Sequence, residues 1–232
     1  MHEVGASKGD RRQPGVHLIE SATIGEAWIA ISGRILDVGV AGEYEGLPMR
    51  ELLLAIVHVD APRSLDALVE RLASSDRLAW MQTNFTDPGP VAALGDADSY
   101  ATRLRNYDHA GRDQVKWVIE RLRHDPSTRS ATITTFQPLS DSSYVPCVSL
   151  LDFFLVDGRL HQVVYAHSID FGTKGFANLI ELARLQEEVA GAIETVVGEL
   201  TMIVKSAHVY ARDVDDMETM MAGLDAGGAP SP

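Results

Sequence analysis

The sequence predicts an α+β fold, a mixed and largely antiparallel sheet covered by helices. Two observations carry this expectation. Apolar residues recur at helical spacing in four separate stretches, with short β-branched runs between them. Two of those runs are joined by Asp157-Gly158, a two-residue signal for an antiparallel hairpin. Helices interleaved with hairpin-linked strands fit this class.

The elements follow in order. Residues 1–15, MHEVGASKGDRRQPG, have no hydrophobic run and read as a disordered leader, not a secretory signal. Thr23-Ile-Gly-Glu26 has the spacing of a capping box and opens a helix with Ala27, Trp28, Ile31 and Ile35. Residues 52–59 form a buried strand that stops near Pro62. From Ser64 the periodicity turns helical, with Leu65, Leu68, Val69 and Leu72 on one face. Residues 85–98 carry Pro, Gly and Asp and read as a loop. Asp113 caps a helix lined by Val115, Val118, Ile119 and Leu122. Its basic last turn, RLRH, complements the helix dipole before Asp125-Pro126. Strands are expected over residues 131–136, 148–156 and 160–166, a long amphipathic helix over 177–193 and a last strand over 200–210. A single domain over residues 16–221 is expected, with residues 222–232, rich in Gly, Ala and Pro, as a flexible tail.

Composition narrows the function classes. The net charge of −13 disfavours nucleic acid and anionic membranes, and no Lys/Arg block offsets it. No apolar run reaches the roughly 18–20 residues that span a bilayer. One cysteine in 232 residues excludes an internal disulfide and a multi-Cys zinc site, and a cytoplasmic location is expected. The eight histidines show no metal-ligand spacing.

Several motifs then occur in a meaningful order. Asp113-Gln114 is followed by a helix and by Asp125-Pro126-Ser127-Thr128-Arg129; Pro146-Cys147 starts a strand. Ser168-Ile169-Asp170, then Asn178 at the opening of a helix, then His208-Val209-Tyr210 complete the series. This order resembles the thymidylate synthase family, over residues 100–210. The resemblance implies a homodimer that binds a pyrimidine nucleotide and 5,10-methylenetetrahydrofolate. It implies that Cys147 is the nucleophile, with Tyr100 near the substrate and Glu70, by helix spacing, as the catalytic carboxylate. Arg129, reaching across the dimer, would bind phosphate with His167 and Ser168; Asn178 would read the base; His208 and Tyr210 would hold the sugar; and Asp170 would accept from a pterin.

The chemistry suits those residue types. A thiolate adds to carbon-6 of a pyrimidine and later leaves, which makes carbon-5 nucleophilic in between. A cationic neighbour such as Arg129 would favour that thiolate, and a neutral amide such as Asn178 pairs with a uracil edge. Each residue also has a plainer reading. Cys147 is a small hydrophobe, Asn178 and Asp170 are caps, His208 and Tyr210 pack on one strand face, and Glu70 is a solvated partner of Arg71.

The sequence departs from the family at several points. Val148 stands where His is usual, Asp152 for Gln, His167 for a phosphate-binding Arg, Ser130 for a second Arg and Lys174 near an expected Gly. The family's tryptophan-bearing segment is missing around residues 85–93. Three functions remain open: folate-dependent methylation or hydroxymethylation at carbon-5, a nucleotide- or folate-binding protein that keeps the fold without the chemistry, or an enzyme acting on an unusual pyrimidine-like substrate.

Overall fold

The computed structural model describes residues 15–141 and 144–227, so all of the expected leader except Gly15 lies outside the described residues. Strand β1 (His17–Ser21) leads into helix α1 (Ile24–Val38), and β2 (Val40–Tyr44) and β3 (Leu47–Val59) form a hairpin. Its turn residues Glu45 and Gly46 have φ of 50° and 77°, the left-handed pair that matches strand twist. Helices α2 (Ala67–Leu72) and α3 (Ser75–Thr86), the two-residue strands β4 (Pro90–Val91) and β5 (Ala97–Asp98), and α4 (Tyr100–Arg105) follow. Then come α5 (Gln114–His124), β6 (Thr132–Thr134), β7 (Val148–Val156), β8 (Arg159–Ala166) and β9 (Ile169–Asp170). The chain ends with α6 (Gly175–Ala192), β10 (Val196–Tyr210) and α7 (Val214–Gly227).

One eight-stranded sheet runs β1-β3-β10-β8-β7-β6, with β2 on the same edge of β3 as β1, and β9 beside β10 in line with β8. Four pairings are antiparallel, β2–β3, β3–β10, β7–β8 and β6–β7. Three are parallel, β1–β3, β8–β10 and β9–β10. The sheet is therefore mixed and mostly antiparallel, as the sequence predicts.

Period-2 alternation gives the sheet two unlike faces. Val57, Met202, Val164, Leu151 and Ile133 stand in register across five strands, all buried beneath the helices. The neighbouring row, Leu18, Ile56, Ile203, Tyr165 and Leu150, points the other way; Leu18, Tyr165 and Leu150 are 56%, 38% and 37% exposed. Alternation breaks at Leu54, whose φ of 63° is left-handed and strained for Leu, at a cost of about 1–3 kcal/mol. Beyond that kink the buried residue of β3 is Leu52, not an odd-numbered one.

Helix α6 is the central post, with thirteen of its eighteen residues buried. It meets α1, α3, α5, β8 and β10, which narrows the solvent face of the amphipathic helix expected over residues 177–193 to a stripe through Arg184, Glu187, Glu188 and Gly191. The N-terminus of α1 is capped as predicted, Thr23 Oγ1 accepting from the Glu26 amide at 3.3 Å. The Glu26 carboxylate reaches one residue further back than a capping box requires, to the Ala22 amide at 3.1 Å.

Several boundaries differ from expectation. The helix expected from Ser64 begins at Ala67, because Asp66 caps it by accepting from Leu68 and Val69, which leaves Leu65 76% exposed. Residues 85–98 hold the end of α3 and the β4–β5 pair as well as loop. Strand β6 is only Thr132–Thr134, while β10 starts four residues earlier than expected, at Val196. Helix α7 continues to Gly227, into the stretch read as tail.

Candidate active site

Cys147 lies immediately before β7, where its carbonyl accepts from the His167 amide at 3.0 Å. The register shifts between Val148 and Leu150, a bulge that bends the strand start and re-aims the side chains there. Tyr100, at the first turn of α4, is stacked on Phe85 and accepts through its hydroxyl from the Val148 amide at 2.9 Å. It thus holds the backbone next to the cysteine. Burial, with the neighbouring Cys147 next in weight, pushes its phenol well above the ordinary range.

The thiol itself sits in a mixed field. Burial raises its pKa; Lys174 and a hydrogen bond from Tyr144 pull it down, and Asp170 pushes it up again. Burial wins, so the thiol is raised on balance. Lys174 is the N-cap residue of α6, and its ammonium lies 5.4 Å from the ring centroid of Trp80 on α3. Its amide donates to the Asp170 carbonyl at 3.1 Å. The Asp170 carboxylate accepts from the Gly172 amide at 3.0 Å and from the Thr173 hydroxyl at 2.5 Å, so it shapes the turn that delivers Lys174. Gly175 is required next: a Cβ there would meet the Phe171 ring at 2.5 Å.

Asn178 is one turn into α6 and 3% exposed. Its Nδ2 donates to the Lys174 carbonyl at 3.0 Å, and its buried Oδ1 has no partner among the described residues. An unpaired buried acceptor costs about 1–3 kcal/mol, a cost that a ligand donor would relieve. His208 is 5% exposed and its pKa is lowered, by burial first, against an opposing pull from Asp170. Its Nδ1 lies 3.5 Å from Ser168 Oγ, and Tyr210 meets it edge-on at 5.0 Å. Burial, followed by Asp170, raises the Tyr210 phenol.

The structure therefore brings Cys147, Tyr100, Asp170, Asn178, Ser168, His208 and Tyr210 into one neighbourhood drawn from four elements, α4, β9, α6 and β10, and the connections before β7 and β9. Three candidates stand apart. The His167 side chain bonds Ser149 at 3.2 Å and lines a shallow cleft of about 640 Å³ with Tyr107, Leu150 and Tyr165 on the sheet's uncovered side. Burial first, then Lys205, lowers its pKa, which disfavours the charged form a phosphate would prefer. Arg129 is exposed at the other end of β7. The Phe153 amide donates to Ala131, and six residues of strand separate Phe153 from Cys147, roughly 20 Å. Within one chain, Lys174, and not Arg129, is the cation whose charge acts on the thiol. Glu70 is exposed on α2, and among the described residues no hydrogen bond or ion pair ties it to this group.

Sequence reasoning missed Tyr144 and Trp80 and noted Lys174 only as a departure. The signal for Lys174 was its i−4 spacing from Asn178, which stacks both on one helix face. Trp80 supplies an indole from α3, ahead of the segment where one was sought. Among the described residues no group of three or more His, Cys, Asp or Glu side chains is placed to hold a metal, and no helix is long and apolar enough to cross a membrane.

Comparison with known proteins gives this geometry a context. The family described as thymidylate synthase matches residues 64–225. A protein of Methanosarcina barkeri named "Putative thymidylate synthase" is 31% identical over 224 residues, 93% of this chain and 99% of its own length. One of the same name from Methanosarcina acetivorans is 32% identical over 216 residues, 90% of this chain and 96% of its own. A "Bifunctional dihydrofolate reductase-thymidylate synthase" of Paramecium tetraurelia is 28% identical over 115 residues, 49% of this chain and 25% of its own.

Proposed function

The chain belongs to the thymidylate synthase family, and from that premise we propose that it transfers one carbon from 5,10-methylenetetrahydrofolate to carbon-5 of a pyrimidine nucleotide. The observation that carries this reading is the gathering of Asp170, Lys174 and Tyr210, from separate parts of the chain, around the only cysteine, which is half-buried.

The Cys147 thiolate adds to carbon-6, and the displaced electron pair moves to the carbonyl at carbon-4. Carbon-5 then attacks the methylene carbon of the folate, and the carbon-5 proton leaves to a carboxylate or an ordered water. Glu70 is the carboxylate that the family resemblance offers. Asn178 reads the base, its unpaired Oδ1 accepting the N3–H of a uracil edge. Ser168 contributes to the phosphate end, His208 and Tyr210 hold the sugar, and Asp170 accepts from the pterin. Elimination breaks the carbon–nitrogen bond to folate and leaves an exocyclic methylene at carbon-5 with Cys147 still bonded to carbon-6. A hydride from the released tetrahydrofolate, which becomes dihydrofolate, or a water then adds to that methylene, and the returning electron pair expels the Cys147 thiolate to give a methyl or a hydroxymethyl product.

The uncovered row Leu18, Ile56, Ile203, Tyr165 and Leu150 supports a homodimer in which two sheets meet face to face. In that assembly Arg129, remote from its own Cys147, binds phosphate in the partner's site, and His167 lies at the seam. Ile203→Glu should convert the dimer to monomer in analytical ultracentrifugation; an unchanged sedimentation coefficient would reject this face as the interface.

Tritium release from carbon-5 of labelled uridylates and cytidylates tests the chemistry. Folate-stimulated release that disappears in Cys147→Ala is expected, and the mass of the product separates methyl from hydroxymethyl. Absence of release from every pyrimidine tried, by folded protein, would favour a binding protein that keeps the fold alone.

A further inference from the structure

We infer that Glu51 reads the sugar of the nucleotide, its carboxylate accepting from the 2′-hydroxyl, so that the substrate is a ribonucleotide. The inference deepens the proposed reaction and rests on the reading of His208 and Tyr210 as the residues that hold the sugar. Glu51 lies on β3 directly opposite His208 on β10. Side chains of such a cross-strand pair stand on one face of the sheet, with Cβ atoms about 4.5–5.5 Å apart. Ser206, two residues before His208 and on that same face, donates from Oγ to Glu51 Oε1 at 2.5 Å. The carboxylate is thus tied to the strand that carries both His208 and Tyr210.

The kink at Leu54 is what makes room for it. Ala55, Val57 and Val59 are fully buried, and continued alternation would send Glu51 into the same dry core, where an unpaired carboxylate is costly. Beyond the kink Leu52 takes the buried place and Glu51 stays partly exposed, beside a Ser206 and a His208 that are 8% and 5% exposed. Its neighbour Arg50 turns away to the Leu36 carbonyl. Among the described residues Ser206 is the one hydrogen-bond partner of Glu51, and no ion pair engages it. An ionised carboxylate only accepts, and one held by a single serine keeps lone pairs for further donors. Ribose offers two adjacent hydroxyls at this edge of the nucleotide, and a carboxylate is a recurrent acceptor for the 2′-hydroxyl. Deoxyribose would set a C–H group against the acceptor and leave it unpaired.

Calorimetric titration with uridine and deoxyuridine monophosphates, and with the cytidine pair, tests this without folate or turnover. For whichever base binds, wild type should hold the ribonucleotide at least about tenfold more tightly than the deoxyribonucleotide. Glu51→Ala should abolish most of that ratio by weakening the ribonucleotide alone. The isosteric Glu51→Gln should lower it in the same direction by less, as should Ser206→Ala, which frees the carboxylate. Deoxyribonucleotide affinity close to wild type shows that the variants remain folded. A wild-type preference for deoxyribose would overturn the inference, as would an equal loss for both sugars in Glu51→Ala and Glu51→Gln, the mark of a structural carboxylate. Binding of none of the four nucleotides would overturn it too. Tritium release that persists while Glu51→Ala leaves the ratio unmoved keeps the reaction and removes Glu51; a moved ratio without release does the reverse.

Discussion

Arg103→Met should destabilise the protein more than any exchange at a residue that touches the thiol, because Arg103 anchors the loop that carries it. Arg103 and Asp141 side chains are 3% and 7% exposed and joined by two parallel hydrogen bonds of 2.8 Å. The guanidinium also donates to the Asp98 and Thr135 carbonyls at 3.1 and 2.8 Å, and Asp141 takes the Gln137 amide at 2.7 Å. This fork ties α4 to the segment that leads from β6 to Tyr144 and Cys147. Removing the arginine strands a buried carboxylate and two carbonyls, a loss of about 3–5 kcal/mol. For a chain of this size each kcal/mol moves Tm by about 2–4 °C, so a fall of roughly 6–20 °C is expected. Urea unfolding of Arg103→Met, Asp141→Leu and the double variant separates the pair from its surroundings. The double should be less destabilised than the sum of the singles by at least about 1.5 kcal/mol, since it leaves no orphan charge. An Arg103→Met loss below about 1 kcal/mol, or singles that simply add, would refute the anchoring argument.

Gly175→Ala drives a methyl into the Phe171 ring at the start of α6; a loss of about 1–3 kcal/mol in thermal unfolding is expected, together with weakened nucleotide binding. Asn178→Leu removes an unpaired buried acceptor, so stability should stay within about 1 kcal/mol of wild type. Nucleotide affinity, read by calorimetry, should nevertheless fall at least about tenfold, and retained affinity would remove Asn178 from base recognition. His208 and His167 have pKa values lowered by burial, so the unfolded chain binds more protons than the folded one below about pH 6.5. Stability should therefore rise with pH through that window and level off above it. Urea midpoints between pH 5 and 8 check this, with a flatter slope expected in His208→Gln.

How far the fold was readable depended on whether an element's signal was local. Trp28, Ile31 and Ile35 repeat at helical spacing behind a Thr23 cap, and Asp157-Gly158 can do little but turn a hairpin, so α1 and β7–β8 were legible. Helix α3 was not: it is polar, only Met81 and Asn84 are buried, and no apolar stripe announces it. The small strands β1 and β2 exist because β3 offers them an edge, which is a tertiary condition. The burial of α6 on most sides likewise comes from five neighbouring elements and not from its own period.

The sequence by itself determined the chemical inventory: one thiol, the order in which Cys147, Asp170, Asn178, His208 and Tyr210 occur, and the class of fold able to gather them. Only the tertiary structure decided which charges act on the thiol. Arg129 and Lys174 are equally cationic on paper, yet the chain entering β6 leaves Arg129 beside the far part of β7, roughly 20 Å away, while the turn after Asp170 seats Lys174 on Trp80. Electrostatic influence depends on distance and burial, and neither is written in residue order.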